Sequence, residues 1–199
     1  KERLAAELGA EIVDGNPAVW KITGVKSKLE IERMKVAVDA SCRAMNRLYD
    51  VIKIGMNEEV VARLARQYMI EEGGDTVTHA QVMSEGDNSM KLLSCDAVDR
   101  TIEKGWVHLD MGAKYKRYGS DINRGIFLGR APTAEEERLY ACRLGVSSML
   151  DNMIKPGVAI DDVVLATKEY VERQGYVLRD IGGGPFVGHA IGLEPYQRP

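Results

Sequence analysis

The residues best suited to chemistry in this 199-residue sequence are two aspartates, Asp110 and Asp121, in the stretch WVHLDMGAKYKRYGSDINRG. Two strand-like runs flank the polar turn AKYKRYG, and this pattern predicts a β-hairpin. With the turn centred between Tyr115 and Lys116, Asp110 faces Asp121 and their Cβ atoms lie about 5 Å apart. Two carboxylates at that distance repel each other, and partial burial raises the cost of their charge. The pair therefore needs a shared proton or a cation.

A divalent metal ion would neutralise both carboxylates at once. Oxygen ligands suit hard or intermediate ions such as Mn²⁺, and an added histidine brings Co²⁺, Fe²⁺ or Zn²⁺ into range. The alternative is that both aspartates are solvated residues beside a turn. Asp is common near hairpins, and a one-residue slip in register would place the two side chains on opposite faces.

Three histidines accompany the aspartates. His189, in PFVGHAIGLEP, lies near two glycines that leave room for an ion to approach the backbone, so it is the candidate third ligand, with a structural role as the alternative. His108 lies two residues before Asp110 and shares its face of the predicted strand. It is a candidate catalytic residue that supports the aspartate, or a structural histidine. His79, in TVTHAQVMS, is interpreted as a packing residue, with a catalytic role as the alternative.

The composition excludes several classes of protein. With 45% apolar residues, 29% charged residues and only 6 prolines, the chain can bury a core. No apolar run approaches the roughly 20 residues of a membrane helix, and the first residues lack the features of a secretory signal. The net charge of −3 leaves no basic face for nucleic acid, and the three cysteines are too scattered for a disulfide framework. We therefore expect a soluble, cytoplasmic protein that binds neither nucleic acid nor membranes.

Helical patterns surround the predicted hairpin. A capping box at Ser27 and Glu30 begins a helix over about 28–53, and Asn57 begins a second helix that stops at Gly73. Further helices are predicted at 134–153, where Thr133 and Glu136 form another capping box, and at 160–174. Strands are predicted at 76–83, 105–112, 118–128 and 176–180. The predicted buried stripe of the first helix consists of large or apolar side chains at helical spacing: Ile31, Met34, Val38, Cys42, Met45, Leu48 and Ile52.

The chain also resembles itself at an offset of 102 residues. Residues 48–73 and 150–175 share seven identities in 26 positions, among them Gly55 with Gly157 and Tyr68 with Tyr170. Random pairing would give roughly one or two. The repeat predicts a duplicated helix-loop-helix unit, and hence two similar α+β halves related by a pseudo-twofold axis, with ligands bound between them.

Together these segments resemble the pita-bread metallopeptidase family, which includes methionine aminopeptidases, Xaa-Pro aminopeptidases, prolidases and the creatinase branch. GVKSKLEIERMKVA is similar to the helix with which the family's catalytic domain begins. LDMGAKYKRYGSDINRG resembles its pattern of Asp-x-Gly, a Tyr-containing turn and Ser-Asp-x-Thr-Arg, and GHAIGLEPYQRP resembles its Gly-His-Gly-x-Gly segment. The resemblance implies an α+β pita-bread fold with two pseudo-symmetric halves around a central site.

By this resemblance Asp110 is a terminal ligand of one metal ion, Asp121 bridges two ions and His189 binds the second. It also implies two glutamate ligands beyond Pro199. The chain would then be a partial catalytic domain, residues 25–199, truncated at its C-terminus, with residues 1–24 as the remnant of a preceding N-terminal domain and linker. We expect two Mn, Co or Zn ions in the intact protein, a site that is weakly occupied or empty in this chain alone, and a homodimer.

The sequence departs from the family pattern at three places. Leu93 stands where many members have a substrate-binding histidine, Tyr196-Gln197 replaces His-Glu, and Asn123 replaces threonine. The tyrosine is a candidate catalytic residue because its hydroxyl can donate a hydrogen bond to a developing oxyanion. The resemblance thus favours a hydrolase of the Xaa-Pro aminopeptidase or dipeptidase type acting on a small peptide. The alternatives are a creatinase-like C–N hydrolase or lyase with a small non-peptide substrate, and a non-catalytic binding module.

Overall fold

A computed structural model describes residues 2–85, 98–178 and 187–194 of the chain. In these ranges the elements are α1 Glu2–Leu8, α2 Asn16–Thr23, α3 Lys28–Val51, α4 Glu58–Glu71, β1 Thr76–Ser84, β2 Gly105–Tyr115, β3 Tyr118–Gly119, β4 Ile122–Leu128, α5 Ala134–Met153 and α6 Ile160–Arg173. The chain divides into two compact units: Lys1–Leu128 with His189–Pro199, and Gly129–Gly188. The first unit holds α1 to α4 and all four strands, and the second holds α5 and α6.

The strands form one antiparallel sheet with β2 at its centre. β1 pairs with one edge of β2, and β3 and β4 pair with the other. The predicted hairpin is confirmed, but its predicted register is wrong. Asp110 faces Asn123, not Asp121, because the turn is centred one residue later than expected. Lys116 and Arg117 both have positive φ, 47° and 77°, as a two-residue type I′ turn requires.

The two faces of this sheet differ in chemistry, since successive side chains of a strand point to opposite sides. One face is apolar and packs against α3 and α4, and its most buried members are Ala80, Val82, Val107, Leu109 and Met111. The opposite face carries polar side chains, which lie in three rows across the strands. These rows are His79 with Gly112; Gln81, Asp110 and Asn123; and Met83, His108 and Gly125. The packed face thus fixes the backbone that presents the polar face.

α3 begins at the predicted capping box, since the Ser27 side chain accepts from the Glu30 backbone and the Glu30 carboxylate accepts from the Ser27 backbone. The predicted buried stripe is only partly correct. Ile31 is 42% exposed and Cys42 is also exposed. The buried face is built mainly from small residues, which let the helix approach the sheet closely: Ala37, Ala40, Ser41, Ala44, Met45 and Leu48. A pattern read from large side chains passes over such a face.

α4 is capped by the Asn57 side chain, which accepts from the Glu59 backbone. Its first residue, Glu58, is buried and accepts a hydrogen bond from the Ser84 backbone at 2.8 Å. This contact joins the start of α4 to the end of β1. The helix therefore helps to hold β1 against the centre of the sheet.

The duplicated helix-loop-helix unit is present in the structure. α3 and α5 end at residues 51 and 153, and α4 and α6 span 58–71 and 160–173, so each pair of ends differs by the predicted offset. Gly55 and Gly157 also share a left-handed backbone, with φ of 90° and 92°. α5 begins at the predicted capping box of Thr133 and Glu136. In the second unit α5 and α6 pack against each other, with Cys142, Val163, Thr167 and Val171 buried.

Four further observations concern the remaining predictions. Residues 176–178 form no strand, so the described part of the strand expected at 176–180 is wrong. α1 and α2 contain no buried residue among those described, and both fall in the 1–24 segment predicted to precede the catalytic domain. Cys42 and Cys142 are free thiols. None of the helices described combines the length and apolarity needed to cross a membrane.

Candidate metal centre

The two aspartates lie on the polar face of the sheet, in the first unit. Asp110 is in the middle of β2, and Asp121 lies between β3 and β4 at the position that continues the register opposite Gly112. The two-residue error in the predicted pairing leaves both side chains on the same face, because an even shift preserves the alternation. One ligand atom from each aspartate and from His79 lies within 4.8 Å of the other two.

Asp121 stands between two imidazoles. His79 Nε2 lies 3.0 Å from Asp110 Oδ1 and 3.7 Å from Asp121 Oδ1. His189 Nε2 lies 3.3 Å from the other oxygen of Asp121, Oδ2. The second ring nitrogen of His189, Nδ1, lies 3.1 Å from the backbone oxygen of Ala190 and donates to it, which turns Nε2 toward the carboxylate.

The surroundings of Asp121 disfavour two ionised carboxylates side by side. Burial raises the pKa of Asp121, and the neighbouring Asp110 carboxylate raises it further, while His79 and His189 partly offset both effects. Both causes act against the charged form of Asp121. A cation between the two carboxylates would remove the repulsion between them.

The donor set fits a divalent ion. Atoms bound about 2.1 Å from one ion lie about 3.0 to 3.5 Å apart at right or tetrahedral angles. The 3.0 Å between His79 and Asp110 and the 3.3 Å between His189 and Asp121 fall in this range. Gln81, directly across from Asp110, has a buried side-chain oxygen without a hydrogen-bond partner in the described part of the chain. An orphaned acceptor of this kind is costly unless a ligand or water satisfies it.

A buried hydrogen-bond cluster positions Asp121 through its neighbour Ser120. The hydroxyl oxygens of Ser120 and Ser41 lie 2.8 Å apart, and the Ala113 backbone donates to both, at 3.0 and 2.8 Å. Ser120 Oγ also lies 3.1 Å from the backbone oxygen of Ala37. Because Ser41 and Ala37 belong to α3, these contacts tie the segment that carries Asp121 to both the helix and β2.

Gly112 allows this segment to pass close to the centre of β2. A Cβ at position 112 would lie 2.0 Å from the backbone oxygen of Ser120 and 2.3 Å from Thr78 Oγ1. A backbone oxygen cannot move aside as the end of a flexible side chain can. The Asp-x-Gly spacing thus has a physical cause, since the glycine gives Asp121 and His79 access to the same place on the sheet.

The structure brings together all three residues predicted as metal ligands. The interpretation of His79 as a packing residue stays a prediction, and its ring contacts the Asp110 carboxylate. The alternation of His79 and Gln81 along β1 is a local sequence signal that these side chains share a polar face. The pairing of β1 with β2, which brings this face next to Asp110, joins distant parts of the chain and has no such signal. His108 lies on the same face as Asp110, one row further along, and its catalytic role stays a prediction. Tyr196, like Leu93 and Gln197, lies outside the described residues.

Comparisons with known proteins give one consistent result. Residues 32–199 match the family model described as "Metallopeptidase family M24". The "Uncharacterized peptidase YqhT" of Bacillus subtilis is 30% identical over 96% of this chain and 53% of its own length. The Xaa-Pro dipeptidase of Pyrococcus furiosus is 28% identical over 88% of this chain and 49% of its own length.

A solved structure agrees with these sequence matches. The X-Pro aminopeptidase from Thermotoga maritima superimposes on this chain with a TM-score of 0.81 at 28% identity, covering 100% of this chain and 55% of its own. The predicted α+β pita-bread fold is therefore confirmed. The chain spans about half the length of the relatives it matches.

Proposed function

Because the chain belongs to metallopeptidase family M24, we propose that the protein is a metal-dependent hydrolase of the Xaa-Pro aminopeptidase or dipeptidase type. Its substrate would be a small peptide, cleaved at a peptide bond or a related C–N bond. The observation that carries the proposal is the Asp110–Asp121 pair with an imidazole on each side. The names of the relatives, Xaa-Pro dipeptidase and X-Pro aminopeptidase, support this substrate class.

Asp110, Asp121 and His189 would hold a dinuclear centre of Mn, Co or Zn. When bound, such ions lower the pKa of a coordinated water toward neutrality and polarise the scissile carbonyl. The chain's own residues prepare this chemistry. The aspartates supply negative charge in a partly buried place, and the contact with Ala190 holds the His189 ring with Nε2 toward Asp121.

Two further residues complete the proposed catalytic set. His108 shares the face of Asp110 and would support it from the same strand. The Tyr196 hydroxyl would donate a hydrogen bond to the oxyanion that develops on the substrate carbonyl.

The test is hydrolysis of Xaa-Pro dipeptides by the purified intact protein with Mn²⁺, Co²⁺ or Zn²⁺, together with calorimetric metal titration of the same protein. We expect Asp121→Ala to lower kcat/KM at least about 100-fold, because several kcal/mol of transition-state stabilisation depend on the ion. Asp50→Ala is the matched control, since Asp50 is exposed near the end of α3 and lies outside the metal-binding group. The absence of metal binding, together with unchanged activity of Asp121→Ala, would contradict the proposal.

The same assay separates the creatinase-like alternative. That alternative is motivated by Leu93 and Tyr196, where the sequence departs from the family pattern. Turnover of small amidine or cyclic C–N substrates with none on Xaa-Pro dipeptides would select it. Peptide binding without turnover in the presence of all three metals would select the non-catalytic binding module.

A further inference from the structure

We propose that His79 is an additional ligand of the Asp110–Asp121 centre, through Nε2, and that Thr78 is the positioning residue that fixes its tautomer. The inference rests on the proposed function in one respect, namely that this site binds a divalent ion. It adds a nitrogen donor from β1 to the three ligands within this chain that the family resemblance implies. It also assigns a role to a hydroxyl that does not itself reach the aspartates.

The first step is a β-bulge. The pairing of β1 with β2 shifts between Val77 and His79, so Thr78 is an extra residue on β1. A bulge bends its strand and re-aims the neighbouring side chains. Here it directs the His79 ring toward β2, where Nε2 lies 3.0 Å from Asp110 Oδ1.

The second step is the position of the Thr78 hydroxyl. Its oxygen lies 2.8 Å from His79 Nδ1, 2.9 Å from the backbone oxygen of Gly112 and 3.5 Å from that of Ser120. A hydroxyl has one hydrogen to donate, and a backbone carbonyl only accepts. We assign the hydrogen of Thr78 to the Gly112 carbonyl, which leaves the hydroxyl oxygen as an acceptor toward the ring. His79 Nδ1 must then carry a hydrogen and donate it to Thr78.

The third step follows from the tautomer. In a neutral imidazole with its hydrogen on Nδ1, Nε2 presents a lone pair. That lone pair faces oxygens of both Asp110 and Asp121, at 3.0 and 3.7 Å. A lone pair directed at two carboxylates is unfavourable by itself, whereas a cation bound by all three atoms makes every contact attractive. The relay from Gly112 through Thr78 is the arrangement by which proteins commonly orient a metal-binding histidine.

The chemical consequence concerns the choice of ion. Two imidazole nitrogens, from His79 and His189, next to two carboxylates favour intermediate ions such as Mn²⁺, Co²⁺ or Zn²⁺ over Mg²⁺ and Ca²⁺, which prefer oxygen ligands. Removing His79 should therefore weaken the binding of Zn²⁺ more than that of Mg²⁺.

The first experiment observes the unmodified protein by NMR after labelling of histidine with ¹⁵N. Before metal is added, we expect the His79 signals to show a hydrogen on Nδ1. On titration with Zn²⁺, we expect the Nε2 resonances of both His79 and His189 to shift as the site fills. A His79 ring without a hydrogen on Nδ1, or a His79 Nε2 resonance that stays in place while that of His189 shifts, would overturn the inference and leave the proposed function standing.

The second experiment uses variants and calorimetric titration with Zn²⁺. We expect His79→Gln to raise the Kd roughly 10- to 100-fold and Thr78→Val roughly 10-fold, in line with the effect of removing partners of metal-binding histidines. Thr78→Ser keeps the hydroxyl and should restore the wild-type Kd to within about twofold. Thr76→Val, at the exposed start of the same strand, is the matched control and should leave the Kd unchanged.

The outcomes separate the two proposals. Unchanged Zn²⁺ affinity in both His79→Gln and Thr78→Val, with folding verified by circular dichroism, would overturn the role of His79 alone. Equal weakening by Thr78→Ser and Thr78→Val would overturn the role of the hydroxyl. An intact wild-type protein that binds neither Zn²⁺ nor Mn²⁺ would overturn the proposed function, and the inference with it.

Discussion

At the scale of single residues, the geometry of the polar face depends on a glycine, Gly112, which has no side chain. Gly112 separates His79 from Asp121, and its α-carbon faces the backbone oxygen of Ser120 and the hydroxyl of Thr78. Any larger residue would push β1 and the Asp121 segment apart. The site is thus sensitive to backbone spacing as well as to its charged groups.

We predict that Gly112→Ala lowers the free energy of unfolding by about 1–3 kcal/mol, because the added methyl group overlaps backbone atoms in a packed region. It should also weaken Zn²⁺ binding, since Asp121 and His79 move together with the displaced segments. Urea denaturation and calorimetric titration measure the two effects. Gly125→Ala is the matched control: Gly125 lies on the same face, but a Cβ there meets nothing within 4 Å. Equal effects of the two substitutions would refute the steric argument.

At the scale of elements, the helices are held mainly by local signals. The capping boxes of α3 and α5 and the left-handed glycines after α4 and α6 lie within a few residues of the ends they define. Such signals depend on short-range hydrogen bonding and backbone sterics, so they can be found in the sequence. This is why the predicted helix boundaries agree with the structure to within two residues.

The α5 capping box contains a charged carboxylate, that of Glu136, whose contribution to stability depends on pH. The hydrogen bonds from Arg130, and then those from Thr133, lower the pKa of Glu136 to about 2 from its usual 4.5. Because this pKa is lower in the folded state, the unfolded chain takes up the proton first as the pH falls. The contribution of Glu136 is therefore complete above about pH 4.5 and is lost as the pH falls toward 2.

We predict that Glu136→Gln makes the stability of α5 less dependent on pH between 4.5 and 2, because the substitution keeps the cap but removes the charge. Hydrogen exchange of the α5 backbone amides at several pH values measures this. Glu137→Gln changes a neighbouring charge outside the capping box and is the control. A Glu136→Gln variant with the wild-type pH dependence would show that the ion pair with Arg130 does not stabilise the helix.

Strand pairing shows where sequence reasoning fails. The observed register depends on positive φ at Lys116 and Arg117. Residues with side chains adopt positive φ less readily than glycine, so the sequence did not indicate a turn at this position. Finding the contact of His79 with Asp110 required the bulge at Thr78, which depends on β1 meeting β2 across a long stretch of chain. The turn rests on an unusual backbone conformation at two residues that are not glycine, and the bulge rests on long-range pairing, so neither has a clear signal within a short window of sequence.

At the scale of the whole molecule, the described site residues belong to one of the two compact units. His79, Asp110, Asp121 and His189 all lie in the first unit, although His189 is far from the others along the chain. A ligand bound by these residues joins β1, β2, the segment between β3 and β4, and the segment at 189. Metal binding should therefore stabilise that unit as a whole.

We predict that Zn²⁺ at 100 times its Kd increases the free energy of opening of β2 and β4 by about 2.7 kcal/mol, as expected for a ligand that binds only the folded state. Hydrogen exchange of the backbone amides with and without Zn²⁺ measures the change, and a chelator should reverse it. Asp121→Ala, which removes a proposed ligand, should abolish the effect. Unaltered exchange in these strands at saturating Zn²⁺ would contradict the prediction.

The short turn at Lys116 and Arg117 has a consequence for the order in which the protein folds. Hairpins with such turns close in about 1–10 μs, far sooner than distant parts of a chain find each other. We therefore expect the Asp110 and Asp121 carboxylates to meet before the segment that carries His189 reaches them. Until then the two carboxylates repel each other in a partly folded chain. We expect divalent ions in solution to speed folding, because they screen this repulsion.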